Sequence, residues 1–212
     1  MKEINQKVEN LRQKLKVKSD FIINPIDLSL PVIPPFKGRD KVKLIIIGQD
    51  PTIKNEASRK KITCTLNLDK NNALRTYVNN ICEVFGITIE NVYATNVFKY
   101  FYSVPPANTM EVLINHLKPN LYLLQQELEA FIDVPIITLG EPVLQLLTKN
   151  NNKVRLYWDY NIKAKKTNGN FTLCHAKDNL LNRDFYPMPH QPSIRKEFYK
   201  NTLNEYLKFV RI

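Results

Sequence analysis

Apolar residues near the N-terminus recur at the spacing of a helix. Residues 3–17 place Ile4, Val8, Leu11 and Leu15 on one stripe, which predicts an outer helix packed on a core. The prolines between residues 24 and 38 remove backbone donors and fix φ, so neither a helix nor a central strand is expected there. We predict a long ordered loop that crosses the domain.

Beyond residue 40, short β-branched runs alternate with longer amphipathic stretches. The short runs predict strands at residues 43–47, 91–95, 134–139, 154–158, 170–174 and 185–189. The longer stretches predict helices at residues 72–85, at 110–130, in a short segment after Gly140, and at the C-terminus. Pro119 is expected to break or kink the second of these helices.

Strands separated by helices are typical of a mostly parallel sheet covered on both faces. We therefore predict an α/β fold, a three-layer α/β/α sandwich, formed as one domain over residues 1–212 with residues 1–40 packed on it. No internal repeat, low-complexity tract or linker is evident. Ligands of such sheets bind at the carboxyl ends of the strands, so polar residues that follow strands become the candidates for function.

The chain is strongly basic, with 31 lysines and arginines against 20 acidic residues, a net charge of +11 and a pI near 9.5. Such a surplus favours a polyanionic partner, although a lysine-rich composition alone is the alternative. The three cysteines lie far apart and form no C-x-x-C pair, which indicates a reducing, cytoplasmic location. No stretch approaches the roughly 20 apolar residues of a membrane span, so neither secretion nor membrane insertion is expected.

Three segments that follow predicted strands carry polar groups where a core would not. They are GQDPT at residues 48–52, TNVFK at 95–99 and PHQPS at 189–193. Together they offer the carboxylate of Asp50, the carboxamide of Asn96 and the imidazole of His190. These groups are able to act as a base, as a reader of a Watson–Crick edge and as a stabiliser of an anion.

These motifs, in this order, resemble those of the uracil-DNA glycosylase superfamily. GQDP resembles the first family motif, TNVFK followed by PPAN at 105–108 is similar to the thermostable branch, and HQPS resembles the H-P-S motif with Gln191 inserted. The resemblance implies that Asp50 orients water at the sugar C1′, that Asn96 reads uracil, and that His190 stabilises the leaving anion. It implies a monofunctional DNA glycosylase of base-excision repair, monomeric, with DNA as partner and no cofactor.

The resemblance also implies contacts around these three residues. By this resemblance, Gln49, Thr52 and Thr65 would contact the base together with Asn96. The loop after the third motif would enter DNA, with Ser193 and with Ile194 as the wedge, or Arg195 if the inserted residue shifts the register. Lys60 and Lys61 follow the first motif and are candidates for phosphate contact, although lysine clusters are most often simply solvated.

Several positions depart from the family pattern. Thr52 stands where a tyrosine would exclude thymine, Ile53 replaces the following histidine, and no aromatic residue occurs at residues 63–66, where a stacking phenylalanine is expected. Base stacking is worth roughly 1–3 kcal/mol, so its loss would weaken binding without abolishing chemistry. Residues 68–72 lack the prolines of the phosphate-pinching loop, and the cysteines of the thermostable branch's cluster are absent.

Three functions remain open from the sequence. The first is excision of uracil from DNA; the second is excision of another lesion such as hypoxanthine or xanthine; the third is a non-catalytic binder of nucleic acid or protein. Each motif residue also has an ordinary structural interpretation: Asp50 as a turn former, Asn96 as a strand-end asparagine, and His190 as a structural histidine. His116 and His175 lie outside the motifs and are expected to be structural or surface residues.

Overall fold

A computed structural model of the protein describes residues 2–16, 25–106, 110–148, 152–161, 163–164 and 166–211. Its strands are β1 (Phe36–Lys37), β2 (Leu44–Gly48), β3 (Val92–Asn96), β4 (Ile136–Leu139), β5 (Tyr160–Asn161), β6 (Lys166–Thr167) and β7 (Tyr186–Met188). Its helices are α1 (Lys2–Leu15), α2 (Glu56–Arg59), α3 (Ala73–Val84), α4 (Met110–Leu128), α5 (Glu141–Leu147), α6 (Val154–Tyr157), α7 (Gln191–Ile194) and α8 (Glu197–Phe209).

Five strands form the central sheet, in the order β1-β3-β2-β4-β7. The pairs β3–β2, β2–β4 and β4–β7 are parallel, and only the two-residue edge strand β1 runs antiparallel. The β2 residues are all buried, as expected for a strand covered on both faces. The predicted α/β fold with a mostly parallel sheet is confirmed.

Helices cover the sheet in two groups. Helix α3 contacts α8, while α4 contacts both α1 and α5. Most buried apolar side chains belong to one continuous cluster that includes residues of the sheet and of both helix groups. A separate pair of short strands, β5 and β6, forms a small antiparallel hairpin beside α8.

Two of the predicted strands were wrong. Residues 154–158 form α6 rather than a strand, and residues 170–174 contribute only an isolated bridge between Cys174 and Phe185. Pro119 does not end α4, which runs through it to Leu128. The side chain of Asn120 donates to the carbonyl of His116 (2.9 Å), so a side-chain bond supports the turn that contains the proline.

The remaining elements agree with the sequence pattern to within a few residues. Residue 24, the first of the predicted proline-rich loop, lies outside the described residues, and the described portion from residue 25 leads into the edge strand β1. No helix in the described part of the chain has the length and apolar character needed to cross a membrane.

Candidate active site

The candidate site lies at the carboxyl edge of the sheet. Strands β2 and β3 end together, with Gly48 paired to Asn96, and Asp50 follows two residues after β2. His190 follows two residues after β7, which is separated from β2 only by β4. Because strands of a sheet are spaced about 4.8 Å apart, the β2 and β7 ends are roughly 10 Å apart.

Asp50 sits in a tight turn at the end of β2. The backbone N–H of Thr52 donates to its Oδ2 at 2.9 Å, an arrangement that holds the carboxylate over the strand end. Burial raises the pKa of Asp50 to about 6, and the hydrogen bonds from Thr52 offset part of that rise. A carboxylate with this pKa is ionised at neutral pH and still basic enough to accept a proton from water.

Asn96 is the last residue of β3 and is 1% exposed. Its Oδ1 is buried and accepts no hydrogen bond from any described residue. Gly48 makes room for it, because a Cβ on Gly48 would lie only 2.3 Å from that oxygen. An unpaired buried acceptor costs about 1–3 kcal/mol, and no described residue offsets this cost.

A buried ionic network holds the backbone of Asn96 in place. The Lys99 ammonium donates to the Asn96 carbonyl at 2.9 Å and pairs with Glu127 of α4 at 2.7 Å, both side chains being almost fully buried. Tyr93 and Thr95 donate their hydroxyls to the same carboxylate, at 2.5 and 3.0 Å. The strand that ends in Asn96 is therefore fixed to α4 by a charge pair with further hydrogen bonds.

The segment that lacks the family's stacking aromatic residue places an aliphatic side chain near the end of β2. Leu66 has φ +56°, and its Cδ2 lies close to Gly48. A Cβ added to Gly48 would be 3.0 Å from that atom. Asn67 also has positive φ, and such strain in non-glycine residues concentrates at functional sites. Thr65, for which a contact with the base is predicted, is fully buried, and its hydroxyl donates to the Pro34 carbonyl at 3.2 Å.

His190 begins the segment that follows β7. Gly140, with φ +97°, approaches it so closely that a Cβ there would lie 3.3 Å from the His190 Cβ. The carbonyl of the preceding Pro189 accepts a hydrogen bond from the Tyr77 hydroxyl of α3 at 3.2 Å. Although the residue is exposed, partial desolvation lowers the pKa of His190, so the ring is neutral at pH 7 and able to donate one N–H.

Thr52 joins the Asp50 turn to the following loop. Its Oγ1 accepts the backbone N–H of Tyr102 at 2.8 Å, so the hydroxyl is already engaged. Phe98 is fully buried, and its N–H donates to the Gln49 carbonyl at 2.9 Å. Ile53 is 41% exposed.

The residues expected to contact DNA lie on or directly after two short helices. In α7, the Ser193 N–H donates to the His190 carbonyl at 2.8 Å, Ile194 is partly buried against the core, and Arg195 is exposed. Lys60 and Lys61 follow α2, where both are exposed and Lys60 pairs with Glu56 at 3.2 Å.

The two other histidines have structural partners. His116 is fully buried, and its Nδ1 lies 2.9 Å from the Tyr102 hydroxyl. His175 is exposed and lies 3.7 Å from Asp184. Within the described residues, no group of three or more His, Cys, Asp or Glu side chains is arranged to hold a metal ion.

Sequence reasoning identified the three motif residues and missed two features of the site. Leu66 carried no signal, because its backbone conformation is set by the tertiary structure. The contact between Lys99 and Glu127 was equally invisible, because its partners are 28 residues apart in the chain.

A comparison with protein families found one match that covers most of the chain. The family model described as the uracil DNA glycosylase superfamily matches residues 35–211, which is most of the chain. A search of curated proteins returned no match to the sequence.

Proposed function

The chain belongs to the uracil DNA glycosylase superfamily, and on this premise we propose that it hydrolyses the N-glycosidic bond of uracil in DNA. Membership supports a DNA glycosylase-type hydrolase generally, and the choice of uracil rests on Asn96. Its buried Oδ1, which has no hydrogen-bond partner among the described residues, is the observation that carries the proposal.

Uracil is the base whose edge this amide fits. Its N3–H would donate to Oδ1 of Asn96 while its O4 accepts from Nδ2. Cytosine presents an acceptor at N3 and a donor at position 4, so it would leave both partners unsatisfied in a buried pocket. A site built from buried polar groups rejects a wrong ligand strongly when that ligand leaves those groups without hydrogen bonds.

The chemistry divides between Asp50 and His190. The base first flips out of the helix, at a cost of a few kcal/mol that is lowest where it is mispaired or unpaired. As the C1′–N1 bond breaks, the Asp50 carboxylate stabilises the positive charge on the sugar and aligns the water that attacks C1′. The neutral ring of His190 donates to O2 of the departing uracil anion.

A panel of oligonucleotides tests the proposal. Purified protein is incubated with strands carrying uracil, hypoxanthine, xanthine or a thymine mismatch, and alkali-labile sites are counted. Uracil strands should be cleaved and Asp50→Asn should abolish the reaction, with an exposed change such as Lys208→Gln as control. Absence of alkali-labile sites on every strand would instead favour the non-catalytic binder.

Thr52 favours a second substrate class, of 5-substituted uracils or a deaminated purine. The family's tyrosine would press on C5 of the base, whereas Thr52 is several heavy atoms smaller and its hydroxyl is held by Tyr102. The wild type should therefore excise some 5-substituted uracils. The Thr52→Tyr variant should lose activity on these bases and retain activity on uracil. Strict uracil specificity in the wild type would mean that another residue, Ile53 or Phe98, fills the space.

We also propose that the protein acts as a cytoplasmic monomer. Its three cysteines are free and buried, as suits a reducing compartment. A single species near 24.8 kDa in light scattering is the expected result.

A further inference from the structure

A cleft of about 900 Å³ opens next to the candidate active site, on the β7 side. Its lining includes Glu141, which directly follows the glycine packed against His190, and the first turns of α8. The opposite wall comes from α6 and the β5–β6 hairpin. Trp158, after α6, ties this wall to β7, because its Nε1 donates to the Pro187 carbonyl at 2.9 Å.

Aromatic side chains form part of the cleft lining. Tyr160, Phe198 and Tyr199 are each half-buried, so their rings are partly accessible. The ring centroids of Tyr160 and Phe198 are 4.0 Å apart, and those of Phe198 and Tyr199 are 5.1 Å apart. Partly exposed, mutually packed rings are the surfaces on which unpaired bases stack.

Cations also line the cleft: Lys153, Arg155, Lys166 and Lys196. Within the described residues none of them forms an ion pair, and the Arg155 Nε is buried with no hydrogen-bond partner. In the described parts of residues 152–167 and 195–200, seven basic residues stand against two acidic ones. Phosphates entering the cleft would satisfy these charges, including the unpaired guanidinium N–H.

Three carboxylates, of Glu141, Glu197 and Glu205, also line the cleft. These carboxylates disfavour binding of a compact polyanion. They suit a ligand in which bases separate the phosphates, because amino groups of the bases can donate hydrogen bonds to the carboxylates. Single-stranded DNA has this character, and its flexible backbone allows bases to reach the rings.

We propose that the cleft binds an unpaired stretch of the lesion-bearing DNA strand, next to the flipped nucleotide. That the bound strand carries a lesion rests on the proposed function. Binding of single-stranded DNA in the cleft does not itself require that the protein excise a base. The cleft would make the protein favour single-stranded or frayed substrates, where flipping is also cheapest.

Two cleft variants and one matched control test the proposal. The charge variant is Lys153→Gln/Lys166→Gln/Lys196→Gln, and the ring variant is Tyr160→Leu, which keeps apolar volume. The control, Lys41→Gln/Lys43→Gln/Lys118→Gln, removes three exposed charges from outside the cleft. Fluorescence anisotropy would report binding of an undamaged 20-nucleotide thymidine oligomer, and thermal unfolding would verify the fold of each variant.

The charge variant should weaken binding at 0.1 M salt by roughly 10- to 100-fold and reduce the slope of log K against log salt by about 2, because each phosphate contact on a single strand contributes about 0.7. Tyr160→Leu should weaken binding by about 5-fold or more. If the cleft charge variant and the control bind equally well, the proposal is overturned. If the cleft variants lose binding while the wild type excises no base, the cleft stands and the proposed glycosylase activity fails.

Discussion

Asp50 combines two properties that a side chain selected for stability alone would not have. It is buried enough for its pKa to rise to about 6, and among the described residues its hydrogen bonds come from Thr52. Perturbed carboxylates of this kind concentrate at catalytic sites, where the shift matches the proton affinity to the reaction. The same shift makes both activity and stability depend on pH in defined directions.

Excision should rise with pH and level off once Asp50 is ionised. The pKa near 6 predicts that kcat/KM for a uracil oligonucleotide falls about tenfold for each unit of pH below 6 and is flat above about 7. The lowered pKa of His190 keeps the ring neutral over that plateau. A profile measured from pH 4.5 to 8.5 checks this, and a flat profile down to pH 5 would remove Asp50 from the catalytic step.

Asp50→Asn should stabilise the protein at neutral pH. In the folded state the pKa of the carboxyl is raised from 3.8 to about 6, so the folded protein binds the proton more tightly and loses stability as pH rises between these values. Above pH 6 the penalty is at most about 3 kcal/mol, and an amide avoids it while still accepting the Thr52 N–H. Urea unfolding at pH 7.5 should show the variant as more stable; at pH 3.5 the two should be nearly equal.

At the scale of elements, α4 acts on the site through charge. The Lys99–Glu127 pair joins α4 to the carbonyl of Asn96 from behind the pocket. Such a pair stabilises little by itself, because taking two charges out of water offsets their attraction. Its effect is geometric: it fixes the strand end that carries the amide.

Single and double substitutions separate these roles. Lys99→Met should destabilise the protein by about 3–5 kcal/mol, because Glu127 is left as an unpaired buried charge. Lys99→Met/Glu127→Gln should recover most of that stability in urea unfolding. We expect the double variant still to show a reduced ratio of uracil to cytosine excision, because the Asn96 carbonyl no longer accepts the hydrogen bond from Lys99. An unchanged ratio would assign the pair to stability alone.

The short helix α7 distinguishes two candidates for the wedge. Ile194 packs partly against the core, whereas Arg195 is exposed at the end of the helix. Arg195→Ala should therefore lower excision from duplex DNA about tenfold or more and leave single-stranded substrate nearly unchanged. Ile194→Ala should mainly lower thermal stability. Equal losses on duplex and single strands for Arg195→Ala would rule out a wedge at this position.

Buried strands between long helices were predictable from sequence, and an isolated short segment was not. Strands β2, β3 and β4 are apolar runs between helices, and their motif residues lie at the shared edge because parallel topology requires it. Residues 154–158 are too few to distinguish helical spacing from strand alternation, because Val154 and Trp158 share a face under both. The exposure of Leu156, 57% in the structure, fits helical spacing and not a strand. Leu66 could not be foreseen, because φ +56° in a leucine is imposed by the surrounding fold.

At the scale of the whole molecule, the matched family region does not account for all of the fold. Helix α1 lies before residue 35 but packs on α4, with Val8 and Leu15 buried. The buried Arg12 donates to the Leu30 carbonyl at 2.6 Å and pairs with Glu9. The N-terminal segment is therefore joined to the same core that supports the Asn96 network.

The net charge of +11 should make DNA binding strongly dependent on salt. Lysines that contact phosphates release condensed counterions, so log K falls linearly with log salt, by about 0.9 for each contact on duplex DNA. A site that contacts about four phosphates would lose roughly 150-fold in affinity between 50 and 200 mM salt. Anisotropy titrations with a uracil duplex measure this slope, and thermal unfolding over the same range shows whether the fold itself responds to salt.

Since screening acts on exposed charges and leaves buried groups nearly untouched, kcat at saturating DNA should stay constant while KM rises. A flat affinity over this range would mean that the charge is a feature of composition and that binding rests on the pocket alone.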